Sequence, residues 1–114
     1  MNLLAVPKET LVHSCSYSEY TGEFDRWNNQ LYGPQTIIEY CRIDETPVYS
    51  RNKEQKTITA DAVIFCYAEH TTPFLAFKEQ SKIVYNNRER VITKVITNAH
   101  PFKDEVFSYE LEVI

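Results

Sequence analysis

Phe107-Ser108-Tyr109-Glu110-Leu111-Glu112-Val113 alternates apolar and polar side chains without a break. Successive side chains on a strand point to opposite faces. The stretch therefore predicts one dry face (Phe107, Tyr109, Leu111, Val113) and one wet, acidic face (Ser108, Glu110, Glu112). A helix would scatter those four apolar groups around its axis. This segment is a strand, and the same period recurs upstream of it.

Lys82–Tyr85 and Arg90–Thr97 flank Asn86-Asn87. Asparagine tolerates positive φ, which suits the two-residue turn of a β-hairpin. Thr57–Ala68 is the longest β signal, with Ile58, Ala60, Ala62, Ile64 and Cys66 on one face and Val63, Phe65 and Tyr67 on the other. Its second half reads as a central strand. Gln35–Asp44 places Ile37, Glu39, Cys41 and Ile43 on one face and Ile38, Tyr40 and Arg42 on the other. Apolar groups on both faces predict partial cover on both. Thr10–Tyr17 reads as a first strand with Leu11, His13, Cys15 and Tyr17 on one side, and Pro73 opens a short apolar piece, Phe74–Phe77.

No segment repeats apolar residues at i, i+3, i+4, i+7. The expectation is an all-β fold: a small antiparallel β-barrel of about six strands, one domain over 1–114, with closure hiding the strand edges. Two long connections interrupt it, at about 18–34 and 45–56. The first carries both glycines, Gly22 and Gly33, and no clear period. It reads as an ordered loop pinned by Trp27 and Tyr32, and loops of that length are often binding elements. The second has no apolar residue from Ser50 to Lys56 and reads as a solvated, mobile loop.

Composition narrows the function classes. Eight Tyr, six Phe and many Val, Ile and Thr suit a pleated, half-buried surface. Three cysteines (Cys15, Cys41, Cys66) are an odd count without a CxxC pair, so a disulfide framework is not expected and a reducing compartment fits. No apolar run approaches the roughly 20 residues of a membrane span, and Met1–Val6 lacks a basic leader, so neither a membrane nor export is expected. The net charge of −4 is distributed with bases in two short stretches, 46–60 and 81–98, each flanked by acid. A continuous basic stripe for sequence-independent nucleic-acid binding is missing. The aromatics keep a nucleic-acid-binding barrel open as a weaker alternative, with Arg88, Arg90 and Lys94 as its basic cluster.

Chemistry finds little purchase. His13, His70 and His100 are far apart and in no metal-ligand spacing. The cysteines lie in apolar alternation, which favours packed neutral thiols over nucleophiles. Two glycines cannot build a phosphate loop or a nucleophile elbow. Glu110 and Glu112 share a strand face, where solvation is the ordinary explanation. The expectation is a non-enzymatic protein with no catalytic residue, cofactor or metal.

Arg42-Ile43-Asp44, the run Ala60-Asp61-Ala62-Val63-Ile64-Phe65, Thr72-Pro73-Phe74, Lys82-Ile83 and the terminal Tyr109-Glu110-Leu111-Glu112-Val113-Ile114 together resemble a minor capsid family of siphophages and prophages of Gram-positive bacteria. The half from Tyr40 to Ile114 carries most of the resemblance, through the order and spacing of these pieces. Members usually have Gly-Asp before the Lys-Ile pair and Asn-Gly in the hairpin, where this chain has Gln80-Ser81 and Asn86-Asn87.

The resemblance implies a virion protein of the head–tail connector, stopper-like or head-completing. Such proteins form a ring, expected to be dodecameric on the particle though possibly monomeric when free, beneath the portal and its adaptor. The ring extends and closes the DNA channel, passes double-stranded DNA without reading its sequence, and docks a tail terminator or tail tube. Assembly would take place in the host cytoplasm. A tail terminator or another neck or tail ring is the alternative. By position in the resembled family, Ser50, Arg51, Asn52, Lys53, Glu54, Gln55 and Lys56 are the candidate channel loop, with its sparse bases touching phosphates; a plain solvated loop is the other reading. A ring subunit must present two different complementary surfaces. Tyr20, Phe24, Trp27 and Tyr32 are the candidate subunit or partner interface, since aromatics are enriched in interface cores; covering a barrel end is the alternative for them. The acids of the final strand are candidates to face the lumen.

Overall fold

A computed structural model describes residues 7–49 and 58–114. After a single 3₁₀ turn, Lys8–Thr10, the strands are β1 (His13–Ser18), β2 (Tyr20–Phe24), β3 (Gln30–Tyr32), β4 (Thr36–Asp44), β5 (Val48–Tyr49), β6 (Ile58–Ala60), β7 (Ala62–Tyr67), β8 (Lys82–Tyr85), β9 (Arg88–Ala99) and β10 (Val106–Val113). Six of them close an antiparallel barrel in the order β1-β4-β7-β10-β9-β8, with β8 returning to β1. The expected barrel is present. Two small sheets, β2–β3 and β5–β6, stand apart from it.

The barrel interior explains the alternation. Leu111 is fully buried and lies opposite Ile64 on β7 and Val95 on β9. Ile38, Ile64, Ile83, Ile92 and Val113 are the other large aliphatic side chains that are fully buried. Each such side chain contributes about 1.5–3 kcal/mol by leaving water. Cys15, Cys41 and Cys66, from three adjacent strands, fill the space among them. One mouth is closed by the chain between β7 and β8. Thr72 bridges Glu39 on β4, Phe74 stacks on Tyr109 at 5.1 Å, and Phe77 meets Tyr17 and Tyr109 edge-on. The apolar piece 74–77 is thus a cap of rings on the core, outside the ladder.

Strand β4 corrects the two-faced reading of Gln35–Asp44. Tyr40 has φ +59° and drops out of register, so that Ser14 pairs Glu39 while His13 pairs Cys41. This bulge shifts the phase: Ile38 before it and Cys41 after it both point inward, while Ile37 is exposed. The ladder hydrogen bond lost at the Tyr40 carbonyl is replaced by the buried Thr71 hydroxyl, which donates to it at 2.7 Å. Thr57–Ala68 is likewise not one strand, since it breaks at Asp61 into β6 and β7, which pair with different partners. The first strand also begins later than expected, at His13, and runs to Ser18.

Positive φ marks the turns on either side of β8. Asn86 and Asn87, at +50° and +59°, make the predicted hairpin turn. Gln80, at +70°, precedes β8 at the position where the resembled family has Gly, and its side chain is exposed. A left-handed backbone costs an L-residue about 1–2 kcal/mol, part of which glycine returns as unfolded-state entropy. Gln80→Gly is therefore expected to stabilise the protein by about 0.5–1 kcal/mol, seen as a higher denaturation midpoint. A lower midpoint would show that the conformation carries no strain.

Candidate assembly surface

Residues 18–34 are not an irregular loop. β2 and β3 form a hairpin in which Tyr20 pairs Tyr32 at the root and Phe24 pairs Gln30 near the tip. Gly22 takes φ +80° where the register shifts, a conformation that a side chain would strain. Asp25 organises the turn: one carboxylate oxygen accepts the N–H groups of Trp27 and Asn29, both at 2.9 Å. Those bonds, with Asn29's first, hold the Asp25 carboxyl below its ordinary range.

The root is fastened to the barrel. Ser81, fully buried, accepts the Tyr20 N–H at 2.9 Å and shares a 3.3 Å hydrogen bond with the Tyr17 hydroxyl. Lys82 lies over the Tyr32 ring and Lys78 over the Tyr20 ring, at 5.0 and 5.5 Å. Exposure then rises along the hairpin. Tyr20 and Tyr32 are half-buried, whereas Phe24 is 51% and Trp27 68% exposed. Arg26 stacks on the indole at 4.2 Å. The structure brings all four expected residues onto one element, with the two tyrosines at its base and Phe24 and Trp27 at its free end. Leu31, also exposed, belongs with them and was not anticipated.

A second feature had no sequence signal. Beside the β9–β10 turn, Phe74, Leu75, Phe107 and Tyr109 line a cleft of about 590 Å³, with Glu69 and Glu105 also in its wall. Phe102, in the same turn, is 83% exposed. The acids of the final strand are less open than the alternation suggested. Glu110 is half-buried and accepts the Asn98 amide at 2.8 Å, and Glu112 is half-buried too, because β10 has a neighbour on each side.

The other singled-out residues have structural surroundings. His13 accepts the Ile43 N–H through Nδ1 at 3.0 Å, and His100 accepts the Phe102 N–H at 3.1 Å. All three cysteines are buried and unpaired as disulfides. Cys41 Sγ donates to the His13 carbonyl at 3.4 Å. The Cys15 thiol is pushed up by its hydrogen bond with Cys41 and then by burial, and the Cys66 thiol chiefly by burial. Among the described residues no group of His, Cys, Asp or Glu is arranged to hold a metal ion, and no helix is long and apolar enough to cross a membrane. The candidate channel loop, Ser50–Lys56, lies outside the described residues.

A closed barrel with exposed aromatic groups on a fastened hairpin defines a class of small β modules whose surface carries the residue types enriched where proteins meet. Comparison with known proteins gives that class its family. The chain belongs to the family described as minor capsid protein, which matches residues 7–113, and is thus a structural component of a virion. It is similar to an uncharacterized protein, ORF5, of Lactococcus phage LL-H, with 23% identity over 100 residues covering 85% of each chain. No solved structure matches it.

Proposed function

We propose that the chain is a non-enzymatic subunit of the head–tail connector. It forms a ring below the portal and adaptor, extends and closes the DNA channel, and docks the tail. The observation that carries this reading is the fastened hairpin with Phe24 and Trp27 open to solvent, in a chain of a minor capsid family. A monomer gains nothing from exposing those rings, whereas a neighbouring subunit would bury them. The direction of β4 adds a second support. The β2–β3 hairpin precedes Thr36 and the β5–β6 pair follows Asp44, so the two lie at opposite ends of a nine-residue strand, about 30 Å apart. One end can serve neighbours in a ring while the other faces elsewhere. In this reading Arg51, Lys53 and Lys56, between β5 and β6 in sequence, bring sparse positive charge to passing DNA.

Mixing purified protein with filled, tailless heads and imaging them tests the assignment. Rings are expected on the portal vertex, with the packaged genome retained. Rings on tail tubes, or none on either, would overturn it.

A further inference from the structure

We infer that the ring contact is made by the tip of the β2–β3 hairpin entering the aromatic cleft beside the β9–β10 turn of the next copy. This rests on the connector reading and specifies its interface.

Strand order supplies the geometry. The hairpin leaves β1 and is tied to Ser81 next to β8, while the cleft is built on β10 and the end of β7. In the closed barrel β1 and β10 are three strands apart in either direction, so the hairpin and the cleft are on opposite sides. They are also at the same end. The alternating directions of the six strands bring the finish of β1 and the start of β4 to the same rim of the barrel as the finish of β7 and the start of β10. Two unlike surfaces on opposite flanks of one rim suit a head-to-tail ring.

The chemistry of the two surfaces fits. The tip offers an indole with a guanidinium stacked on it, and Arg26 forms no ion pair among the described residues. The cleft offers aromatic walls, and its rim carries Glu69 and Glu105 beside His100 and Lys103, the lysine 3.9 Å from Glu105. An indole inserted between Phe74 and Phe107 would place Arg26 near those carboxylates. The cleft's 590 Å³ accommodates both groups, and β2, at about 3.4 Å per residue, gives the tip a reach of about 17 Å. The β2–β3 turn is held in shape by Asp25 before any partner arrives, so little ordering is needed on contact.

The test places the photo-crosslinker p-benzoylphenylalanine at position 27 and supplies the protein, mixed with a tagged copy, to heads that lack it. Expected is a cross-link between two copies that maps to 68–76 or 100–109 of the acceptor. It should fall at least tenfold when the acceptor carries Ala76→Trp, which fills the cleft from its exposed side. A cross-link to another surface of a copy, or to a different virion protein, overturns this interface and leaves the connector reading standing. So does a cross-link that Ala76→Trp leaves unchanged. If the unmodified protein is absent from the head–tail junction, the connector reading itself fails, and the interface with it.

Discussion

A variant carrying both Phe24→Ser and Trp27→Ser is expected to unfold at the parent's denaturant midpoint and yet fail to occupy filled heads. Both side chains are more than half exposed and neither belongs to the buried core, so their removal should change stability by no more than about 0.5 kcal/mol. As anchors of the proposed interface they would weigh far more. Large aromatic side chains at the centre of a contact commonly contribute about 2 kcal/mol each, so losing two weakens association roughly a thousandfold. Co-sedimentation with tailless heads, run beside a denaturation curve, separates the two effects. Parental occupancy by the double variant would remove the hairpin from the interface.

Asp61→Ala should have the largest effect on folding among the polar substitutions. Asp61 stands at the break between β6 and β7, where its N–H donates to the Val113 carbonyl and its carboxylate meets Arg90 at 2.6 Å. The Arg90 side chain is only 19% exposed and lies beside the buried Tyr85 hydroxyl. Burial holds the Tyr85 phenol above its ordinary value, a sign of how dry this corner is. Removing the carboxylate leaves a poorly solvated cation, a loss of about 2–3 kcal/mol. Thermal unfolding should fall by about 10 °C or more. Glu89→Ala is the control: its carboxylate is exposed, and its pair with Lys82 contributes at most about 1 kcal/mol. Equal, small effects of the two substitutions would mean that Asp61 is not a clamp.

The barrel was legible wherever one face of a strand is dry and the other wet. Leu111 and Val113 on β10, and Ala62, Ile64 and Cys66 on β7, alternate because the closed wall buries every second residue. The β2–β3 hairpin was not legible as strands because solvent reaches both of its faces, so no burial selects a period along Tyr20-Thr21-Gly22-Glu23-Phe24. Its residues were still flagged, since aromatic weight in a segment without a buried face is itself a signal. The bulge at Tyr40 was hidden for the opposite reason. A one-residue slip inverts the faces, and a sequence read at constant period then shows apolar groups on both. Partner choice is a third blind spot: Ala60 and Ala62 keep perfect alternation while the strand changes sheets between them. The cleft is assembled from residues within 68–69, 74–76 and 100–109, which no local pattern joins.

The sulfur chemistry of the interior has one more consequence. No sulfur–sulfur bond braces the barrel, and none of Cys15, Cys41 and Cys66 meets solvent. The fold therefore asks nothing of an oxidant in order to form and offers nothing to one afterwards. A particle component built this way keeps the same architecture under reducing and under oxidising conditions.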